Sequence, residues 1–143
     1  MTSQSDSAEL AGTFIENAAG FMHGAALAPS DFTEQRLHSA SIAFELSTKA
    51  AILHAGGTDE QNRRELRHDL VRAIDAADAI GFEASPAARR FAARLSPYYS
   101  THTLAALAID TAEAGELVQA AEAHLAAVIA WMAAPAFQNR NPL

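Results

Sequence analysis

From Ser39 to Gly56 the chain reads SASIAFELSTKAAILHAG, and Glu45 and Lys49 are the only formally charged side chains in that stretch. A helix that is apolar or small almost all round has no solvent face, so it must be surrounded by other elements. The pattern therefore predicts a central helix. Glu45 and Lys49 stand four residues apart with the acid N-terminal, the favoured order for an ion pair on one helix face. On an exposed helix such a pair contributes only ~0.3–0.5 kcal/mol. Inside a protein, removing one partner strands a buried charge and costs ~3–5 kcal/mol. The pair reads first as a structural device that fixes helix register, and His38 lies on the same side of the helix, where it can join them.

The rest of the chain is built to wrap that helix. Apolar positions recur at three- and four-residue steps, alanine is abundant and β-branched residues are scattered, which predicts an all-α fold. A first helix is expected over about Ser7 to Leu27, with Leu10, Phe14, Ala18, Phe21 and Met22 on one stripe. Pro29-Ser30 breaks it, and Asp31 with Glu34 forms a capping box for the second helix, to about His54. Thr58 and Gln61 cap a third, whose buried side is Leu66, Leu70, Ala73, Ile74, Ala77 and Ile80, and which Gly81 stops. Ser85-Pro86 opens a short fourth helix ending before Pro97, with Tyr98, Tyr99 and His102 in a turn beyond it. Asp110 and Glu113 cap a long final helix that turns Leu117, Ala121, Leu125, Val128 and Met132 inward and ends by Pro135. No internal repeat or linker divides the chain, so residues 1–143 read as one helical-bundle domain of four to five helices, with frayed ends at about 1–6 and 136–143.

Composition narrows the function classes. The chain has no cysteine, which excludes disulfides and cysteine-ligated zinc and fits a reducing compartment. The start MTSQSDSAEL lacks a basic and an apolar region, and no apolar run approaches the ~20 residues needed to cross a bilayer. A cytoplasmic protein with no membrane attachment is expected. The net charge of −7 opposes indiscriminate attraction to nucleic acid. Yet seven of the nine arginines (Arg63, Arg64, Arg67, Arg72, Arg89, Arg90 and Arg94) lie in the middle third, and no acid occurs between Ser85 and Ile109, so a local basic face is open to the chain.

On a continuous third helix Arg64 and His68 lie within ~40° of each other, with Asp75 close to the same line, on the side opposite the leucines. An imidazole beside a guanidinium can exchange protons with a ribose hydroxyl or a leaving oxygen while the arginine holds the phosphate. The competing reading is a solvated face. Arg63 lies five residues before His68, a ~140° divergence on a helix, and the two converge only if the helix begins near Leu66. Either arginine can therefore be the partner. His124 falls in the apolar stripe of the last helix and reads as an interior histidine, whereas His23 and His54 sit near helix ends. Arg94, Tyr98 and His102 form a further candidate group, since arginine beside aromatics can clamp phosphates and stack bases, with helix-edge packing as the alternative. No metal-ligand spacing, glycine-rich phosphate loop or nucleophile elbow is present, and no cofactor is expected.

At FELSTKAAILHAGG and RHDLVRAIDAADAIG the chain resembles the HEPN superfamily, small helical-bundle proteins of prokaryotic toxin–antitoxin and defence systems. The shared elements are a Glu-x-x-x-Lys-Ala helix, here Glu45 to Ala50, and a His-Asp-Leu helix start, here His68 to Leu70. The likeness spans Asp31 to Trp131. It implies an up-and-down bundle, a homodimer and, in active members, a metal-independent ribonuclease with an Arg-x4–6-His motif at the dimer interface. That motif maps onto Arg63 and His68. The resemblance then assigns His68 as general acid/base, Arg63 or Arg64 as phosphate clamp, and Arg94, Tyr98 and His102 as substrate-binding helpers. It also allows a catalytically inactive module that binds a small nucleotide or an antitoxin-type nucleotidyltransferase. Two departures stand out. The final helix has His124 without an arginine at the required spacing, and His102 stands in Tyr98-Tyr99-Ser-Thr-His102 where related proteins often carry arginine.

Overall fold

The computed structural model describes residues 4–134, which are helical apart from short connections and contain no strand. The helices are α1 (Gln4–Leu27), α2 (Thr33–His54), α3 (Asp59–Gln61), α4 (Leu70–Ala79), α5 (Pro86–Tyr99) and α6 (Thr111–Ala133). A π-helical turn, Asn62–Leu66, follows α3, and a 3₁₀ turn, Leu104–Ala106, precedes α6. The described part of the expected frayed N-terminal segment is helical from Gln4 onward, while the expected frayed tail lies outside the described residues.

The expected central helix is α2. It packs against α1, α4, α5 and α6. Its buried set runs from Leu37 to Leu53 and includes both Glu45 and Lys49, as a helix without a polar face requires. Phe44 at its middle is stacked between Phe91 of α5, at 4.6 Å, and His124 of α6, at 4.1 Å between ring centres. On α1, Ala11, Ala18, Met22 and Ala25 face inward, but Phe21 is 41% exposed, so the expected stripe is rotated toward the alanines.

Three local expectations are corrected. The second helix is entered from Phe32, which makes no side-chain capping bond, because a turn closed by Phe32 N–H to Pro29 O, 2.9 Å, carries the chain past Asp31 before the helix begins. The fourth helix does not stop before Pro97 but continues through it to Tyr99. Proline removes only its own N–H donor, and the next turn is held by Ser100 N–H to Ser96 O, 2.9 Å.

The third correction matters most. The single amphipathic helix expected from Thr58 to Ile80 is broken at Arg67 and His68, which gives six α-helices rather than four to five among the described residues. Thr58 caps α3 as expected, its hydroxyl accepting from Gln61 N–H at 3.0 Å. The chain then widens into the π-turn and leaves it at Arg67 with φ 50° and ψ −123°. Asp69 starts the next helix by accepting from Arg72 N–H, 3.0 Å. Three backbone donors released by the break find partners: Arg67 N–H bonds Asn62 O, Asp69 N–H bonds Leu66 O, and Leu70 N–H bonds the Ser96 hydroxyl at 2.9 Å. Arg64, His68 and Asp75 consequently do not form one helical row.

Candidate functional site

The break delivers His68 to the middle of α2. Its Nδ1 lies 3.0 and 3.1 Å from the two carboxylate oxygens of Glu45. A carboxylate only accepts, so Nδ1 carries the proton and Nε2 is the basic nitrogen of the neutral ring. The His68 side chain is 54% exposed and that of Glu45 only 9%. The imidazole is thus anchored at one edge and open at the other.

Glu45 is the hub of this group. It accepts from Lys49 Nζ at 2.6 Å and from the Tyr99 hydroxyl at 2.5 Å in addition to His68. Burial alone would push the carboxyl upward, but the donors from Lys49 and Tyr99, the Lys49 charge and His68 together hold it below the usual carboxylate range. Tyr99 moves the other way: burial, then the neighbouring Glu45 charge, keep its phenol protonated far above the ordinary range. Lys49 divides its ammonium between Glu45 and the carbonyl of Arg67, 2.5 Å away. The register pair expected from the sequence is therefore buried and also orients the histidine.

Beside this network lies a pocket of about 340 Å³ lined by His38, Ile42, Glu45, Leu46, His68, Tyr99 and His102. Ring centres of His68 and His102 are 6.1 Å apart, His68 and Tyr99 6.0 Å, and His38 and Tyr99 6.1 Å. His102 reaches this position with φ 58°, in the left-handed region that non-glycine residues rarely adopt. His102 lines the pocket, and Arg67, the other non-glycine residue with positive φ among the described residues, directly precedes His68 in the chain. Such strain persists where surrounding contacts over-determine it, and it clusters at functional sites.

The other sequence candidates are placed elsewhere. Arg63 pairs with Asp59 and Arg64 with Glu60, each at 3.5 Å on the exposed face of the α3 and π-turn segment. Arg94 is held by Glu113 at 2.9 Å and by the carbonyl of Ala108. Five of the seven mid-chain arginines, Arg63, Arg64, Arg72, Arg89 and Arg94, face a carboxylate. The charge cluster legible in the sequence is thus largely neutralised. Tyr98 is half-buried, and the tyrosine of the site is Tyr99. Ala88, Phe91, Leu95 and Tyr99 recur at helical spacing, a signal that identifies Tyr99 once α5 is extended through Pro97.

His124 is an interior residue, 2% exposed. Thr48 uses its one hydroxyl proton on Phe44 O at 2.7 Å, so the 2.8 Å contact between Thr48 Oγ1 and His124 Nε2 has the ring as donor. Burial pushes its pKa down to about 4. No group of three or more ionisable ligands suited to a metal occurs among the described residues, and no helix there is long and apolar enough to cross a membrane. Compared with family models, with curated proteins and with solved structures, the chain gave no match.

Proposed function

We propose that the chain is a HEPN-like helical module of prokaryotic toxin or defence type, acting in the cytoplasm, that binds a small nucleotide at the His68 pocket without cleaving RNA. The observation that carries this reading is the convergence of His38, His68 and His102 on one pocket whose remaining wall is Ile42, Leu46, Tyr99 and the engaged carboxylate of Glu45. Imidazole N–H groups, those of His38 and His102 and that of His68 Nε2 when its ring is doubly protonated, suit phosphate oxygens, and the aliphatic wall suits the face of a base. The volume lies within the range of small-molecule sites. Binding is favoured over cleavage because Arg63 and Arg64, the expected phosphate clamps, are engaged with Asp59 and Glu60. A second copy of the chain, or an antitoxin-type nucleotidyltransferase, would cover the open side of His68.

A second reading is a metal-independent ribonuclease, with His68 as general base and His102 as general acid. It is favoured by the 6.1 Å separation of those rings and by the Glu45 anchor, which leaves Nε2 of His68 free to take a proton.

Titrating the protein with adenosine monophosphate by calorimetry, and incubating it with RNA in chelator, separates the readings. The binding module predicts saturable nucleotide binding that His68→Ala weakens by about tenfold, the value of one or two lost hydrogen bonds, with RNA left intact. Cleavage lost in both His68→Ala and His102→Ala establishes the ribonuclease. Neither binding nor cleavage removes both.

A further inference from the structure

Beyond Glu122 the exposed positions of α6 carry no polar side chain. They are Ala123, Ala126, Ala127, Ile129, Ala130 and Ala133, with Ile129 43% exposed. An outer helix face normally bears charged or polar groups. The C-terminal half of α1 is similar: after Asn17 its exposed residues are alanines, glycines, Phe21 and Leu27, with His23 the one polar side chain. Between the two helices lies a groove of about 320 Å³. The buried Met22 and Leu125 are at its base, Ala19, Ala126 and Ile129 form its walls, and His23 and Glu122 are its polar members.

The α1 surface beside this groove also holds glycines that the chain's own packing does not require. A Cβ built on Gly12, Gly20 or Gly24 meets nothing within 4 Å, and none of the three has a positive φ. Glycine weakens a helix interior relative to alanine. Three glycines at open positions therefore bring no gain inside this chain, but they leave α1 bare enough for another helix to approach closely.

Charge decides what fits there. Asp6, Glu9 and Glu16 lie on α1 and Glu113, Glu116 and Glu122 on α6, and neither helix contains lysine or arginine. Glu113 is engaged by Arg94, whereas Glu16 and Glu122 pair with no base among the described residues. Arg36 of α2 is tied to the carbonyl of Ala25 at 3.4 Å. A two-fold contact between two copies of this face would set acid against acid. An anionic lipid surface is disfavoured for the same reason.

We propose that the groove between α1 and α6 is a docking site for an amphipathic helix of a partner protein, one whose apolar stripe is flanked by lysine or arginine. The stripe enters between Ala19 and Ala126, and the flanking cations meet Glu16 and Glu122. The groove shares no lining residue with the His68 pocket, so the inference stands apart from the nucleotide reading.

The test is amide NMR on the intact chain titrated with three synthetic peptides of about 18 residues, long enough to form a helix. The first carries a leucine and alanine stripe flanked by lysines, the second has glutamates in place of the lysines, and the third is the first with its order scrambled. The lysine peptide is expected to shift Ala19, His23, Ala126 and Ile129 saturably, and the other two to bind at least about tenfold more weakly. Ala126→Arg, at an exposed position, is expected to keep the melting temperature and to weaken the lysine peptide about tenfold or more. Glu16→Gln combined with Glu122→Gln should weaken it several-fold and flatten its salt dependence, while His68→Ala leaves it unchanged. Equal binding of the glutamate or scrambled peptide, shifts centred outside the groove, or no saturable binding overturns the proposal. So does a concentration-dependent dimer in sedimentation that Ala126→Arg disperses, which would assign the groove to a second copy.

Discussion

The carbonyl of Arg67 rests on the ammonium of Lys49, 2.5 Å from Nζ. That bond joins the break between the π-turn and α4 to the buried charge on α2, because the same ammonium also bonds Glu45. Loss of the lysine therefore leaves the buried Glu45 carboxylate and the part-buried Arg67 carbonyl short of a donor. Lys49→Met is expected to destabilise the fold by about 3–5 kcal/mol. Glu45→Gln combined with Lys49→Met should recover part of that loss, since the stranded charge is gone. Urea denaturation of the single and double variants measures both, and an equal loss in the two would show that the charge is not the cause.

Arg67 itself adopts φ 50° to present that carbonyl. Such a conformation costs a non-glycine residue ~1–3 kcal/mol, partly offset in a glycine by its greater unfolded-state freedom. Arg67→Gly should raise stability by about 1 kcal/mol. Arg67→Val, whose β-branch is least tolerant of positive φ, should lower it. Thermal melts of the pair decide the matter, and the order of the two variants is the readout.

Tyr99→Phe removes one of the donors that keep Glu45 below the usual carboxylate range. Loss of a hydrogen bond to a buried charge should cost about 2 kcal/mol and let the Glu45 titration move upward. Carbon-detected NMR of the glutamate carboxyls follows that titration directly. A stationary Glu45 signal would mean that Lys49 and His68 set it without Tyr99.

His124 makes stability depend on acid. Its folded pKa, about 4, lies below its ordinary 6.5, so between those values the unfolded chain takes up a proton that the folded one refuses. The contribution is absent above the ordinary value and grows as pH falls, reaching a loss of about 3 kcal/mol below the folded value. Glu45 acts in the same sense, since its depressed folded pKa gives stability that disappears as pH drops through it. Denaturation at pH 7, 5.5 and 4.5 should show the decline, and His124→Phe should flatten the part between pH 6.5 and 4.

Much of the scaffold is legible in the chain because its signals are local. Thr58, Ser85 and Asp110 each cap the helix they precede, and a helix charged only at Glu45 and Lys49 becomes the centre of the bundle. The site is harder to read because its deciding contacts are not local. RELRHDLVRA carries an unbroken helical pattern with neither glycine nor proline, and what interrupts it is a donor 18 positions earlier, on Lys49, and a hydroxyl 26 positions later, on Ser96. Asp69 is the one local hint, a good cap inside an apparent helix. Tyr99 was masked by Pro97, which suggests a helix end that the structure does not have. The arginines mislead for the opposite reason: five of them find carboxylates nearby, so a cluster in sequence does not become a field in space.

Glu45 draws its ligands from its own helix, from 23 residues along the chain and from 54 residues along it. Each distant ligand requires a separate loop closure, so the hub is complete only when three segments have docked. A half-assembled chain would hold a bare carboxylate in an apolar groove, a state that favours either protonation or reopening. The nitrogen resonances of His68 should consequently appear late in refolding, after backbone helicity has already plateaued, and would serve as a timer for the final docking step.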